Sequence, residues 1–348
     1  MNLVRVGVVG ASGYTGGELL RLLVRHEEVE VTMVTSKENV GKPVWYVHPN
    51  LRRFFDTLVF KEFSVDYALK NCDAVFMALP HGVGTHQTKA LYEAGILVID
   101  LSADYRLKDP TKYPEWYGFE HPYPDLLQKA VYGLPELHRE QIRSSKLIAC
   151  AGCNATATII SLAPLARKKI LQRALVDVKV GSSEGGLKPK MGSNHAEREN
   201  AIRPYEASGH RHEIEAEQEL SSIEGSGVTI SVIPHAVSSL RGVLASSHIW
   251  CEIDEIELSK AFHEAYKAEP FVRIVRGGAP PYPDPKYVLT SNFVDVGFAV
   301  DKRTKRVTTF AALDNLMKGA AGQAVQCFNI AMGFKETLAL DSPPPRAV

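Results

Sequence analysis

The stretch Leu3-Val-Arg-Val-Gly-Val-Val9, followed directly by Gly10-Ala-Ser-Gly13-Tyr14-Thr15-Gly16-Gly17, decides the fold of the first part of this chain. Its apolar run is typical of a strand buried in a parallel sheet. Residues 18–24 then carry apolar side chains at helical spacing, and residues 29–35 form a second strand pattern. A glycine-rich turn between strand and helix lets a dinucleotide pyrophosphate approach the helix N-terminus. The stretch therefore predicts a doubly wound α/β Rossmann domain, although GxxGxxG departs from the commoner GxGxxG.

The cofactor contacts are predicted at the turns that follow the first two strands. Those of the glycine-rich turn are Gly10, Ser12, Gly13, Tyr14, Thr15 and Gly16. The second strand ends in Thr35-Ser36-Lys37, where an NAD site typically has an acidic residue for the ribose hydroxyl. A hydroxyl and an ammonium group suit a 2′-phosphate, so NADP(H) is predicted. If Ser36 and Lys37 form only a solvated loop, the cofactor preference stays open.

Two further strand patterns, at 73–79 and 96–100, end in turns with polar residues. In a doubly wound sheet the carboxyl ends of the strands face the ligand crevice. Pro80, after the first of these strands, and Ser102, after the second, are therefore predicted near the cofactor. Arg106 is predicted to hold an anionic group of the substrate, because a guanidinium binds such groups with two parallel hydrogen bonds.

Cys153 lies between a strand pattern at 146–150 and a helix pattern at 155–165. A thiol at such a junction meets unpaired backbone N–H groups and the positive end of the helix dipole, which stabilise the thiolate. The alternative is a small apolar residue that fills a tight turn. Cys150 and Cys153 also have CxxC spacing, but a thioredoxin-like pair belongs early in a small βαβ unit. Cys150 is therefore expected to be a core residue.

The second half of the chain has longer strand patterns and one long polar segment. The strands at 174–183, 228–234, 243–253, 292–300 and 307–312, with a helix at 254–268, predict an α+β catalytic domain with a largely antiparallel sheet. The predicted domains are 1–152 and 153–312, and a C-terminal helix at 313–340 is expected to join the first.

Two histidines, His210 and His212, lie in the polar segment 184–219. Residues two apart do not share a helical face, which disfavours a zinc site, and no metal is predicted. A histidine near a thiolate is a common arrangement for covalent catalysis. The alternative is a pair of surface histidines beside an acidic helix.

The composition is that of a globular protein with no global electrostatic preference. The 348 residues favour two domains, and 45% of them are hydrophobic. The formal net charge is zero, so nucleic acid and membrane are not predicted as partners. An odd number of cysteines, no apolar signal core and no spanning segment predict a reduced, cytoplasmic protein.

Six motifs together carry a resemblance to a known family. In chain order they are Gly10-Ala-Ser-Gly-Tyr-Thr-Gly16, Asp100-Leu-Ser-Ala-Asp104, Tyr132-Gly-Leu-Pro-Glu136, Gly152-Cys153, Gly209-His-Arg-His212 and Asp314-Asn-Leu-Met-Lys-Gly319. They resemble the N-acetyl-γ-glutamyl-phosphate reductases and, more distantly, aspartate-semialdehyde and glyceraldehyde-phosphate dehydrogenases. Those reductases usually have Tyr-Pro after the cysteine, whereas this chain has Asn154-Ala155-Thr156-Ala157. With His48-Pro-Asn-Leu51 and Tyr282-Pro-Asp-Pro285, that run is similar to the carrier-protein-linked branch, the LysW-aminoadipyl/glutamyl-phosphate reductases of LysY type.

The resemblance implies NADPH-dependent reduction of a carrier-linked acyl phosphate to a semialdehyde, in lysine and possibly arginine biosynthesis. It implies Cys153 as nucleophile and His210 as acid/base, with Asn154, His212 and Tyr205 near the substrate and Asn315 near the nicotinamide. The sequence does not separate His210 from His212. A homodimer or homotetramer is also expected from the resemblance.

The resemblance also implies a small acidic amino-group carrier protein, LysW, as the partner. Four basic residues are predicted to dock it, the alternative being an ordinary solvated loop: Lys188, Lys190, Arg198 and Arg203. Two other functions remain open, which are reduction of N-acetyl-γ-glutamyl phosphate and a catalytically idle NADP-binding sensor or scaffold. Retention of both the Cys153 turn and the histidine pair argues against the idle protein.

Overall fold

The computed structural model describes residues 3–188 and 191–346. Its strands are β1 (Val4–Val9), β2 (Val29–Val34), β3 (Ala74–Met77), β4 (Leu97–Asp100), β5 (Val131–Gly133), β6 (Leu147–Cys150), β7 (Arg173–Val180), β8 (Ile202–Pro204), β9 (Thr229–Val237), β10 (Val243–Trp250), β11 (Val272–Ile274), β12 (Val294–Asp301) and β13 (Arg306–Leu313).

The α-helices are α1 (Tyr14–Leu23), α2 (Val44–Val47), α3 (Val65–Asn71), α4 (Thr85–Glu93), α5 (Tyr113–Tyr117), α6 (Pro124–Lys129), α7 (Pro135–Ser144), α8 (Cys153–Arg167), α9 (His195–Arg198), α10 (His212–Glu224), α11 (Glu255–Tyr266) and α12 (Gly322–Met332). Short 3₁₀ turns lie at Pro49–Leu51, Pro110–Lys112, Ser182–Gly185, Met191–Ser193 and Pro285–Tyr287, and a π-helical turn lies at Met317–Ala321. In the part of the chain that the structure describes, no helix is both long and apolar enough to cross a membrane.

The chain divides into two compact units. The first contains residues 3–151 and 320–342, and the second contains residues 152–319 and 343–346. In the first unit the six strands are ordered β2-β1-β3-β4-β6-β5, and all of their pairings are parallel. This order runs outward from β1 in both directions, so the prediction of a doubly wound Rossmann domain is confirmed.

The first unit owes its regular elements to continuous apolar runs. Val6, Val8 and Phe76 have no exposed surface, as parallel strands covered on both faces require. Helix α1 buries Leu19 and Leu20 completely and begins at Tyr14, earlier than the apolar periodicity alone predicts.

The C-terminal segment differs from the single helix predicted at 313–340. Leu313 still belongs to strand β13, where it pairs with Val243 and Val294. The helical structure begins at Met317 with the π-helical turn and continues as α12. Within the first unit the α12 residue Phe328 packs on Phe76, with ring centroids 5.5 Å apart.

The second unit is a mixed sheet packed on a buried helix, so the α+β prediction is confirmed. Its strands are ordered β11-β12-β13-β10-β7-β9-β8. The pairs β11–β12 and β7–β9 are parallel and the other four are antiparallel. Strand β7 alternates buried and more exposed residues, the pattern of a sheet with one covered face. The polar segment adds an unpredicted edge strand, β8, which pairs with β9.

Candidate functional site

The glycine-rich turn after β1 has room only for glycine at two positions. Gly10 has a φ of 77°, and a Cβ there would lie 2.3 Å from the Ala78 carbonyl oxygen. A Cβ on Gly16 would lie 2.5 Å from the Ala11 Cα. Helix α1 follows Gly13 without a side-chain cap, which leaves the N–H groups of its first turn for an anion. This cradle fits the pyrophosphate of a dinucleotide.

The ends of β1 and β2 meet through two hydroxyl groups. The Oγ atoms of Ser12 and Ser36 are 3.0 Å apart, and Ser36 is buried. Lys37 is exposed next to them, Thr15 is half-buried, and Tyr14 is 41% exposed. The predicted cofactor residues around the first two strand ends therefore lie at one edge of the sheet.

The turns after β3 and β4 hold each other through reciprocal hydrogen bonds. Gly82 N–H donates to Asp104 Oδ1 at 2.6 Å, and Ala103 N–H donates to His81 Nδ1 at 2.9 Å. Asp104 is fully buried, and burial raises its pKa. Sequence reasoning missed the structural part played by this aspartate, although its position directly after a buried strand was a signal.

Ser102 and Arg106 are occupied by contacts within the same turn. The Ser102 hydroxyl donates to Asp100 Oδ2 at 2.9 Å, and burial followed by the Asp104 carboxyl raises the pKa of Asp100 to about 7. Arg106 is 5% exposed and donates from Nη2 to the Leu101 carbonyl at 3.0 Å. Its charge also acts on both aspartates by lowering their pKa. Pro80, by contrast, is exposed.

In the second unit Cys153 is the first residue of α8. It is half-buried, is not part of a disulfide, and its Sγ lies 3.5 Å from Asn154 Oδ1. Gly152 has no side chain that could cap the helix. The N–H groups of the first turn of α8, where Cys153 lies, therefore receive no hydrogen bond from a capping side chain. A Cβ on Gly319 would lie 2.7 Å from the Cys153 Cβ, which explains why a glycine stands there. Cys150 is buried in β6 and also free.

A buried carboxylate, Glu215, holds the residue before the cysteine. Gly152 N–H donates to Glu215 Oε2 at 3.1 Å, while Glu215 Oε1 lies 3.9 Å from His212 Nε2. Glu215 has no exposed surface. Sequence reasoning missed this residue, and the signal was its spacing of three residues from His212 on a helix.

The two histidines meet because α10 begins at His212, which leaves His210 outside the helix. Their rings are 4.7 Å apart at 80°, and each residue is 4% exposed. The helical-face argument therefore does not apply to this pair. Burial, with a further contribution from the Arg211 charge, lowers the pKa of His210 to about 4. At neutral pH its imidazole is therefore uncharged, and its Nδ1 accepts a hydrogen bond from the His212 N–H at 3.3 Å.

Tyr205 packs beside His210, and the charge of Cys153 acts on its phenol. The residue is 41% exposed, but its hydroxyl is turned inward and donates to Glu184 Oε2 at 3.2 Å. Burial, then the Glu184 and Cys153 charges, raise the pKa of the Tyr205 phenol. Its ring centroid lies 6.2 Å from that of His210.

A chain of contacts runs from Tyr205 to the Cys153 turn. It passes through His210, His212 and Glu215 and ends at Gly152, and the charge of Cys153 also acts on the Tyr205 phenol. A cysteine sulfur and a neutral imidazole are groups that can carry out acyl transfer through a thioester.

Comparison with known proteins identifies the family. Residues 5–145 match the semialdehyde dehydrogenase NAD-binding domain, and residues 153–315 match the semialdehyde dehydrogenase dimerisation domain. The LysW-L-2-aminoadipate/LysW-L-glutamate phosphate reductase of Saccharolobus solfataricus is 59% identical over 99% of this chain and 98% of its own. The protein of that name from Sulfurisphaera tokodaii is also 59% identical, over 99% of each chain. The chain belongs to this phosphate reductase family.

Solved structures of semialdehyde dehydrogenases share the fold of the family. Aspartate semialdehyde dehydrogenase II of Vibrio cholerae matches with a TM-score of 0.72 and 17% identity, over 96% of this chain and 99% of that one. The Candida albicans aspartate semialdehyde dehydrogenase, solved with NADP, matches with a TM-score of 0.71 and 18% identity, over 95% and 99%. The resemblance inferred from the six motifs is confirmed, and this phosphate reductase is an oxidoreductase with an NAD-binding domain.

Asn315 of the phosphate reductase is engaged inside the second unit. Its Oδ1 accepts from Gly242 N–H at 2.8 Å, and its Nδ2 donates to Ser183 Oγ at 2.8 Å. The side-chain amide therefore bridges two turns of this unit. Its role near a nicotinamide stays a prediction.

The basic residues predicted to dock a carrier differ in their placement. Lys188 is exposed, Arg203 is half-buried, and Lys190 lies outside the described residues. Arg198 is only 2% exposed, and its guanidinium pairs with Glu184 Oε1 at 3.0 Å. Because it is buried and paired, Arg198 does not fit the prediction of a docking residue.

Proposed function

We propose that this protein reduces a LysW-linked aminoadipyl or glutamyl phosphate to the semialdehyde with NADPH, through a thioester on Cys153. The observation that carries the proposal is the chain of contacts from the Cys153 turn through Glu215 to the two histidines and Tyr205, in a chain 59% identical to reductases of that name. The family resemblance implies such a step in lysine biosynthesis and possibly in arginine biosynthesis.

In the first half of the proposed reaction His210 accepts the thiol proton. The Cys153 sulfur attacks the acyl carbon, a C–S bond forms, and the C–O bond to phosphate breaks as phosphate leaves with the electron pair. Asn154 is completely buried, and its Nδ2 group has no hydrogen-bond partner that meets normal geometry. A preorganised donor of this kind stabilises a developing oxyanion. Asn154 is proposed to be that donor.

NADPH, when bound at the glycine-rich turn, would supply the hydride for the second half of the reaction. The protonated His210 returns its proton to the carbonyl oxygen, which yields a thiohemiacetal on Cys153. His210 then takes up that hydroxyl proton as the C–S bond breaks, and the semialdehyde and the thiolate are released. Glu215, which contacts both Gly152 and His212, holds the cysteine turn and the histidine pair in one arrangement.

The proposed cofactor is NADP(H) rather than NAD(H). Ser36 and Ser12 bring two hydroxyl groups together at the end of β2, and Lys37 adds a positive charge beside them. Hydroxyl and ammonium groups bind a 2′-phosphate, whereas a carboxylate there repels it.

Lys188 and Arg203 are proposed to contact an acidic carrier protein. A homodimer or homotetramer is proposed as the working assembly.

The experiment compares substrates in the reverse direction, as phosphate-dependent reduction of NADP⁺. The purified protein is given LysW-linked semialdehyde or the free N-acetylated semialdehyde, with Cys153→Ala as the control. We expect turnover on the carrier-linked compound alone and none in the variant. Robust turnover on the acetylated compound overturns the carrier assignment, and activity that survives in Cys153→Ala overturns the thioester.

A further inference from the structure

We infer that the buried ion pair between Arg198 and Glu184 is a positioning element of the Cys153 site, which fixes the Tyr205 hydroxyl and neutralises the carboxylate beside it. The inference rests on the proposed role of Cys153. It assigns to Arg198 and Glu184 a role that they exert through Tyr205. Arg198 thereby has a function other than docking a carrier protein.

Arg198 is held in one orientation by its surroundings. Its Nη1 donates to the Val180 carbonyl at 3.3 Å, its Nε donates to the Gly192 carbonyl at 3.2 Å, and its Nη2 pairs with Glu184 Oε1 at 3.0 Å. The side chain is 3% exposed. A guanidinium bound at three nitrogens is a rigid support, because its planar fork loses little further freedom.

Glu184 connects this support to the site. One carboxylate oxygen pairs with Arg198, and the other accepts the Tyr205 hydroxyl proton at 3.2 Å. The phenol proton is therefore directed at Glu184, and the phenol oxygen keeps its lone pairs for a donor. Asn154 lies next to that oxygen and lowers the pKa of Tyr205, opposing the larger effect of burial. Asn154 in turn contacts the Cys153 sulfur.

The charge of the pair matters as much as its geometry. Because Glu184 and Cys153 both act on the Tyr205 phenol, a carboxylate and a thiolate share one neighbour. A nearby like charge disfavours the ionised thiol. Arg198 compensates the carboxylate, so its loss leaves an uncompensated negative charge beside the Tyr205 hydroxyl, on which the Cys153 charge also acts. Removal of the Glu184 charge as well restores neutrality.

The competing explanation is that the Arg198–Glu184 ion pair is purely structural and has no influence on the Cys153 site. Arg198 and Glu184 then only hold the turn Ser182–Gly185 against helix α9. Both explanations predict a loss of stability when the pair is broken. Only the positioning role predicts that the reactivity of Cys153 depends on the net charge of the pair.

The test measures the rate of Cys153 alkylation by iodoacetamide as a function of pH on the full-length protein without cofactor. The site is read by peptide mass spectrometry, which separates it from the other cysteines. We expect Arg198→Met to slow alkylation at neutral pH about tenfold and to move the profile to higher pH. The double variant, in which Glu184→Gln is combined with Arg198→Met, should recover an alkylation rate within about threefold of wild type. Arg139→Met, which breaks the half-buried pair of Arg139 with Glu336 in the first unit, is the matched control and should leave the rate unchanged.

An unchanged profile in Arg198→Met, or equal slowing in the single and double variants, overturns the inference. If Arg198→Met does not fold, Glu184→Gln and Tyr205→Phe replace it. Glu184→Gln leaves the Arg198 charge uncompensated and should speed alkylation, and its effects on alkylation and on kcat/KM should be non-additive with those of Tyr205→Phe. If the fold-changes of the two single variants in alkylation rate and in kcat/KM simply multiply in the double variant, the inference is contradicted. Alkylation needs no substrate, so lack of turnover on the carrier-linked compound counts against the proposed function alone.

Discussion

The backbone N–H of Gly152 donates a hydrogen bond of 3.1 Å to the carboxylate of Glu215, which joins the turn before Cys153 to helix α10. Glu215 is completely buried and also faces His212. One side chain therefore links the Cys153 turn to the histidine pair. Because a buried N–H without an acceptor is costly, this bond also supports the start of α8.

Replacing Glu215 tests that link. Glu215→Ala leaves the Gly152 N–H without its acceptor and should destabilise the protein by about 1–3 kcal/mol, whereas Glu215→Gln retains an acceptor and should cost less. Urea unfolding gives the stability, and iodoacetamide gives the reactivity of Cys153. Glu217→Ala is the matched control, since Glu217 accepts the Ile230 N–H at 2.9 Å on the same helix. The control should lose stability without a change in Cys153 alkylation, and equal alkylation in all three variants would contradict the link.

Acidification should weaken the fold through His210. Burial lowers its pKa to about 4 in the folded protein, from an ordinary 6.5, so the unfolded state binds more protons between these values. Stability from this group is complete above about pH 6.5 and is lost as the pH falls toward 4, by up to roughly 3 kcal/mol.

Unfolding of wild type and His210→Gln at several pH values between 4 and 7.5 measures this contribution. The variant should show a shallower loss of stability in acid. Burial also lowers the pKa of His121 to about 4, so part of the slope should remain, and His121→Gln is the companion variant. The same slope in wild type and His210→Gln would mean that His210 has the same pKa in the folded and unfolded states.

The glycine-rich turn should tolerate no side chain at Gly10. A Cβ there would lie 2.3 Å from the Ala78 carbonyl, so Gly10→Ala should displace the turn and weaken dinucleotide binding by at least about a hundredfold. Gly41→Ala is the matched control, because Gly41 has a φ of 80° and a Cβ there would meet no other part of the described chain within 4 Å. The control should lose about 1 kcal/mol of stability and keep its affinity. Isothermal titration with NADP⁺ gives the affinities and urea unfolding gives the stabilities, and unaltered binding by Gly10→Ala would contradict the cradle.

Cofactor preference should depend on the end of β2. Ser36→Asp with Lys37→Ala places a carboxylate where a 2′-phosphate is proposed, and should lower the ratio of kcat/KM for NADPH over NADH by at least about tenfold. The control is Lys129→Ala, which removes an exposed lysine elsewhere in the first unit. An unchanged ratio in the double variant would place the 2′-phosphate site elsewhere.

Local sequence patterns were sufficient to predict those features that depend on residues adjacent in the chain. The strand, glycine turn and helix at the N-terminus predicted the doubly wound sheet, because burial on both faces and a tight turn are written into consecutive residues. The same holds for Cys153, since a strand followed at once by a helix defines the junction. The helix predicted from Leu313 failed because Leu313 pairs with strands distant in sequence, and such pairing overrides a local apolar pattern.

The sequence by itself determined the fold class, the family and the place of Cys153 at a strand-to-helix junction, because each depends on residues that are adjacent in the chain. Only the tertiary structure decided which side chains contact that junction. Glu215 reaches Gly152 across 63 positions, and Arg198 is buried against Glu184 although it reads as a surface cation. Burial and pairing arise from contacts between distant segments, and these contacts determine whether a charged side chain faces solvent or is held inside the fold.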